Sequence, residues 1–290
     1  MSIFEGVILG ILQGFAEFLP ISSSGHLLLV QKLMGLEEIP LLFDVFLHLA
    51  TLGAVVLYFW RKIWKLLCAF GRIFVPKKNL DEQEIIQQKS ERSYILAIIL
   101  ATIVTGVIGL FTSKLIDDNK ISIKIVCGGF IFTAIILVLS SIFERKHKKS
   151  AVNLENSENS QSAEKPQIIK WWQALIIGFS QGVGTLPGIS RSGSTISGAL
   201  FCGVKRELAG EFSFIVSIPA ILGAFILELK DLGDVANSIG ALPVIFGCLA
   251  AFTSGYLALS WLMRLIKKGK LEWFAAYLIP LGILGMIFLK

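Results

Sequence analysis

Pro20-Ile21-Ser22-Ser23-Ser24-Gly25-His26 breaks an apolar stretch that otherwise runs from residue 3 to residue 33. Pro187-Gly188-Ile189-Ser190-Arg191-Ser192-Gly193 breaks a second, from 171 to 203. Proline removes a helical hydrogen bond and serine prefers the helix N-cap, so each stretch is expected to be two half-helices joined by a turn, entering and leaving on one side. A shift of 168 residues lays Gly10–His26 on Gly178–Ser194 without a gap. Seven of the 17 aligned positions are identical: Gly10/Gly178, Gln13/Gln181, Gly14/Gly182, Ile21/Ile189, Ser22/Ser190, Ser24/Ser192 and Gly25/Gly193. Background composition would match only about one or two. The two breaks are copies of one motif.

The rest of the chain is built for lipid. Of its 290 residues 54% are hydrophobic and 17% charged, with a mean hydropathy of +0.73; an average soluble domain is roughly 45–50% apolar and 25% charged. This excludes disorder and an ordinary soluble enzyme. Six further stretches approach the roughly 20 residues needed to cross a bilayer: 41–60, 93–112, 122–143, 208–228, 241–263 and 271–289. The expected fold is an all-α polytopic membrane protein with six spanning helices and two re-entrant pairs. Residues 1–143 form a first repeat, 144–170 a polar linker and 171–290 a second repeat. Three crossings per half is an odd number, so the second half must be inverted, and inverted repeats place a site near the midplane where broken helices meet.

The net charge of +6 does not call for nucleic acid, because the charges lie in the gaps between apolar segments. If the gap after residue 60 is cytoplasmic, 20 of the 27 Lys and Arg residues lie inside and six outside, with Arg191 in the second break. That asymmetry orients the chain with both termini outside, the 3–33 pair opening outward and the 171–203 pair inward. Met1–Gly10 lacks a basic leader and a cleavage signature, and is read as part of the folded chain. His147 in the linker reads as solvated. The four cysteines have no metal or disulfide spacing and read as small buried residues.

Where the copies differ, chemistry is indicated. Glu17 aligns with Thr185, Ser23 with Arg191 and His26 with Ser194, which puts an acid, a nucleophile and an imidazole on one side and a permanent cation on the other. Ser22–Ser24 and Ser190–Ser192 begin second half-helices, whose free N–H groups and hydroxyls favour anions. The Arg191 fork suits phosphate oxygens, and an ionisable group deep in a membrane segment is costly enough to suggest function. Gln13 and Glu17, four apart, share a helix face and could hold Mg²⁺ or Ca²⁺ through oxygen, or supply a base. Ser23 and His26 are one turn apart, within reach of proton exchange. Asp44, His48 and Thr51 form a polar stripe on the first spanning segment that reads equally as interface or as function.

Gln13-xxx-Glu17, Pro20–His26 and Pro187-Gly188-Ile189-Ser190-Arg191-Ser192-Gly193-Ser194-Thr195 resemble the signatures of the bacterial undecaprenyl-diphosphate phosphatases, the bacitracin-resistance type. Gly210–Phe214 followed by Pro219, and Phe43–Val45 followed by Phe59–Arg61, fit the same resemblance, which covers the chain outside 144–170. It implies removal of the terminal phosphate of a polyprenyl diphosphate lipid in the bacterial plasma membrane, recycling the carrier for cell-wall synthesis. It also implies bacitracin resistance, a divalent cation and a site opening toward the outer face. By position Ser23, His26 and Glu17 are then catalytic, while Arg191, Ser190, Ser22, Ser192 and Thr195 bind diphosphate. Glu17 with Gln13 holds the metal. Gln13 stands where two carboxylates would otherwise share it. Serine, histidine or water as nucleophile stays open, as does a homodimer. A lipid flippase or secondary transporter on the same repeat is the rival reading.

Overall fold

The computed structural model describes residues 1–36, 39–74, 81–115, 122–155, 167–229 and 239–289, and these contain eleven α-helices and no strand. The first break separates α1 (Ile3–Phe18) from α2 (Ser23–Leu33), and the second separates α7 (Trp171–Val183) from α8 (Arg191–Phe201). Both interruptions fall where proline and serine predict them. Between them lie α3 (Leu41–Tyr58), α4 (Trp60–Phe74), α5 (Glu82–Leu115) and α6 (Ile123–Glu155); after them come α9 (Arg206–Glu228), α10 (Ala241–Lys268) and α11 (Trp273–Phe288). α1 opens on a capping box in which Ser2 and Glu5 satisfy each other's backbone N–H groups, at 3.2 and 2.7 Å. α10 stops at Gly269, whose φ of 69° and ψ of 40° turn the chain out of the helix.

Among the described residues four helices are long and apolar enough to cross a membrane, within α5, α6, α9 and α10. α3 and α4 together pass the same test but meet at an 83° bend, giving a fifth, and α11 is a shorter apolar helix of 16 residues. The chain is therefore a multi-pass membrane protein of four to five clear spans, where the sequence suggests six. The regular structure also outruns the apolar segments. α5 begins at Glu82 instead of 93, because Glu, Gln and Lys extend a helix into water at little cost. α6 continues to Glu155 for the same reason, so residues 144–155 of the expected linker are helical; residues 156–166 lie outside the described residues, as does the side chain of His147.

Close helix contacts position the breaks. Gly6, Gly10 and Gly14 recur every four residues on α1 and face Pro243, Gly247 and Ala251, spaced identically on α10. A methyl group on Gly6 or Gly14 would sit 2.6 Å from a backbone oxygen of α10, so only a small-residue seam permits this approach. α7 makes the corresponding contact with α5. A Cβ on Gly178 would lie 2.5 Å from the Ala101 carbonyl oxygen, and the Thr105 hydroxyl donates to the Gly178 carbonyl at 3.0 Å. Each broken pair is thus clamped by a long helix from the opposite half of the chain. α6 touches both α2 and α8, and α3 packs on α9, which brings the two turns together in the interior.

Candidate active site

The second turn is the simpler. Gly188 takes a φ of 83°, lies against Val126 and Gly129 of α6, and lets the chain reverse. Ser190 then caps α8 with φ −74° and ψ 118°; its hydroxyl accepts from the Gly193 N–H at 3.1 Å, and its own N–H donates to Thr133 at 3.0 Å. Arg191 is the first residue of α8. In the first turn, the position of Gly188 is Pro20, which cannot adopt a positive φ. The left-handed step falls two residues later, at Ser22, with φ 72° and ψ 95°. Ser22 still caps α2 through the Gly25 N–H at 3.4 Å, and Ser23 is the first residue of that helix.

The turns meet at Glu17, near the C-terminus of α1. Its Oε1 is ion-paired with Arg191. Its Oε2 accepts from the Ser23 hydroxyl at 2.7 Å and the Gln13 amide at 3.0 Å, and lies 3.3 Å from His48 Nε2. Gln13 and Glu17 are buried, so this carboxylate is held by protein donors and not by solvent. His48 reaches it from α3, where its Nδ1 is 2.8 Å from the Asp44 carbonyl oxygen. A carbonyl and a carboxylate are both acceptors, so the His48 ring is held between two acceptor oxygens and is the second basic side chain beside Glu17. Asp44 itself accepts from the Gln31 amide at 2.8 Å.

These groups open onto a cavity of about 190 Å³. Glu17, Ser23, Ser24, His48, Ser190 and Arg191 supply its polar wall, and Ala220, Ile221 and Ala224 of α9 an apolar one. One face can therefore bind anionic oxygen beside a hydroxyl whose proton already points at a carboxylate, while the other accepts hydrocarbon.

The sequence-derived residues divide. Glu17, Ser23, Ser190 and Arg191 converge on the cavity. Ser22, Ser192 and Thr195 are buried and do not line it: Ser22 caps, the Ser192 hydroxyl donates to the Leu19 carbonyl across the two turns at 3.4 Å, and Thr195 back-bonds to the Arg191 carbonyl. Among the described hydrogen bonds His26 does not meet Ser23. Its Nδ1 lies 2.8 Å from the Ser22 carbonyl oxygen and its Nε2 2.8 Å from the Tyr277 hydroxyl, and it is not among the residues lining the cavity. The backbone angle at Ser22 turns that ring toward α11. The imidazole in the cavity is His48, which the Asp44/His48/Thr51 stripe brought into view without telling which partner it faces. Ser24, read from the sequence as part of the Ser22–Ser24 anion-binding helix start, also lines the cavity.

Residues 6–284 match the family described as bacitracin resistance protein BacA. The undecaprenyl-diphosphatase of Treponema denticola is 46% identical over 283 residues, covering 98% of this chain and 96% of that protein. The undecaprenyl-diphosphatase of Desulfatibacillum aliphaticivorans is 39% identical over 275 residues, 94% of each. That of Methanobrevibacter smithii is 38% identical over 293 residues, 98% of this chain and 96% of its own.

Proposed function

The chain belongs to the bacitracin resistance protein BacA family, and from that premise we propose that it is an integral membrane phosphatase converting undecaprenyl diphosphate to undecaprenyl phosphate and phosphate. It thereby recycles the lipid carrier for cell-wall synthesis and confers bacitracin resistance. The observation that carries this reading is the 2.7 Å hydrogen bond from Ser23 to Glu17 in the cavity that also holds Arg191. A flippase needs the cavity but has no use for a hydroxyl aimed at a carboxylate.

In the proposed reaction the diphosphate enters on the polar wall and draws the Arg191 fork and the His48 ring away from Glu17. The carboxylate, relieved of its partners, takes the Ser23 proton on Oε2. Ser23 Oγ forms a bond to the terminal phosphorus as the bridging P–O bond breaks, and the lipid monophosphate leaves with its charge neutralised by Arg191. Water then attacks the phosphoserine, Glu17 returns its proton to Ser23 Oγ as the Oγ–P bond breaks, and the water proton leaves on the released phosphate, so Ser23 and the carboxylate are both restored. The lipid tail lies along Ala220, Ile221 and Ala224, beside Leu222 and Ile226, which are exposed on the outer face of α9.

The cation belongs with the substrate in this scheme. Both Glu17 oxygens are already engaged by protein donors, and beside them Gln13 Oε1 is a buried acceptor with no partner among the described residues. Among the described residues no three His, Cys, Asp or Glu side chains cluster as metal ligands, whereas a hard divalent cation takes about six or more oxygens. These residues do not fit a resident Mg²⁺ or Ca²⁺; diphosphate oxygens are the natural ligands, and the ion travels as the counter-ion of the substrate.

The two repeats, residues 1–143 and 171–290 around a linker at 144–170, are proposed to lie inverted in the plasma membrane with both termini outside and the site opening outward. The reciprocal clamping of α1 by α10 and α7 by α5 supports the inversion. Orientation is supported by α4, which leaves α3 at 83° with Trp60, Trp64, Leu67 and Phe70 exposed on one side and Arg61 and Lys65 on the other, the pattern of a helix lying in the inner interface. Phosphate release from undecaprenyl diphosphate by purified protein in detergent with Mg²⁺ or Ca²⁺ tests the whole reading. Absence of release overturns it.

A further inference from the structure

Ser22 is the one non-glycine residue with positive φ among the described residues, and its ψ of 95° lies outside even the small left-handed helical well. Such a conformation costs on the order of 1–3 kcal/mol and persists only where its surroundings enforce it. Ser22 immediately precedes Ser23, so its angles set the direction of the attacking hydroxyl.

What sets this cap apart from Ser190 is a side chain. The Ser22 carbonyl oxygen accepts the first helical bond from the His26 N–H at 3.2 Å, as Ser190 does from Ser194 at 2.9 Å, and in addition a bond from His26 ring Nδ1 at 2.8 Å. Because a carbonyl only accepts, Nδ1 carries the hydrogen. Nε2 is then a lone pair in the neutral ring, and the Tyr277 hydroxyl, 2.8 Å away, donates to it. Tyr277 lies nearly parallel to the imidazole with centroids 5.7 Å apart and planes within 20°, and Phe130 of α6 lies tilted against it at 5.0 Å. Both nitrogens are hydrogen-bonded and the ring touches two aromatics. Nothing in this arrangement offers a nitrogen to phosphorus or to the Ser23 proton.

We propose that His26 is a positioning residue, which with Tyr277 forms a two-link clamp holding the strained Ser22 backbone so that Ser23 points at Glu17 and the cavity. The proposal rests on the phosphatase reading with Ser23 as the attacking group. α11 thereby enters the reaction, from 251 residues away in sequence, without touching substrate.

The clamp is tested by asking which atom of His26 matters and whether relief of strain makes it dispensable. Asparagine can present an amide N–H near the position of Nδ1 and glutamine cannot, so His26→Asn should keep about a tenth or more of wild-type kcat while His26→Gln and His26→Ala fall at least about 100-fold, effects on the scale of one hydrogen bond retained or a network lost. Tyr277→Phe should lower kcat about tenfold with KM changed less than about twofold. In a Ser22→Gly background, where glycine adopts the same φ without strain, the added cost of Tyr277→Phe should shrink to within about twofold. His26→Asn as inactive as His26→Ala, a phosphohistidine trapped by rapid quench, or an equal cost of Tyr277→Phe in both backgrounds each overturns the clamp. Wild-type protein that releases no phosphate would instead defeat the underlying reading, and the two failures are distinct.

Discussion

The two turns share Ile, two serines and a glycine at matched positions, yet they are not the same structure. Ser22 and Ser190 both cap a helix, both accept from the glycine three residues on and both face a second serine, at 3.5 and 3.2 Å. Ser190 does this at φ −74° and Ser22 at φ 72°. The second turn reverses on Gly188 and leaves its cap relaxed. The first has proline there and pushes the reversal onto the cap. The residue after each cap differs accordingly: a fixed cation, Arg191, after the relaxed one and an aimed hydroxyl, Ser23, after the strained one. In the proposed reaction the relaxed helix start binds the anion and the strained one carries the attacking hydroxyl.

If the arms have these separate duties, removing each group should fail differently. Ser23→Ala takes away the attacking atom and should reduce turnover by more than about 1000-fold with diphosphate binding largely intact, the pattern of a lost covalent step. A labelled substrate quenched during wild-type turnover should yield a base-labile phosphoserine. Substantial turnover by Ser23→Ala would move the attack to water and leave the first arm as a second binding surface. Arg191→Lys on the other arm keeps a charge but loses the planar fork that bridges two phosphate oxygens, so activity should fall about 100-fold and KM should rise, in protein that still inserts and extracts normally. Near wild-type kinetics would remove the second arm from the site.

The motif itself was legible in the sequence because its information is local. Proline, serine and glycine at fixed offsets dictate a break and a cap, and the 168-residue shift exposed the pairing of Glu17 with an uncharged counterpart, Thr185. Helix ends were less legible: α5 and α6 continue into water on residues that favour helix but lack apolar periodicity. The sharp bend after Tyr58 was hidden because Trp60–Phe74 carries its apolar residues on one face only, which a search for all-round apolar runs reads as a gap. The partners of the two histidines could not be read at all. His26 sits one turn from Ser23, and spacing alone favours that pair, but the sign of φ at Ser22 sends its ring to Tyr277 instead. His48 lies in a stripe of unexceptional polarity and becomes part of the site only because α3 packs against α1.

His48 makes the comparison sharper, since it brings a second basic side chain, from α3, to the strained arm's carboxylate. Glutamine keeps a donor near the position of Nε2 and removes the imidazole. His48→Gln should lower kcat/KM about tenfold, chiefly through KM, as expected for one weakened contact with the diphosphate. His48→Ala should cost more by losing the donor as well. Equal kinetics for His48→Gln and wild type would assign the diphosphate to Arg191 alone.

The smallest effect bears most directly on the strain itself and needs no activity. Glycine at either cap forfeits the side-chain hydrogen bond, worth a few tenths of a kcal/mol against glycine, and adds freedom to the unfolded chain, worth about 0.4–1 kcal/mol. At Ser190, whose backbone is already relaxed, those losses stand, and Ser190→Gly should be destabilised by about 1 kcal/mol. At Ser22 the same losses are opposed by release of the left-handed strain, which costs a residue with a Cβ at least about 1 kcal/mol, so Ser22→Gly should be neutral or slightly stabilised. For a chain of this size the difference between the two variants amounts to about 2–4 °C in melting temperature, within reach of matched thermal scans in one detergent. The sign of that difference is the test, because caps of equal strain would lose equally. Destabilisation of Ser22→Gly to the same extent as Ser190→Gly would mean that the first turn stores nothing, and that the direction of Ser23 is set by helix packing alone.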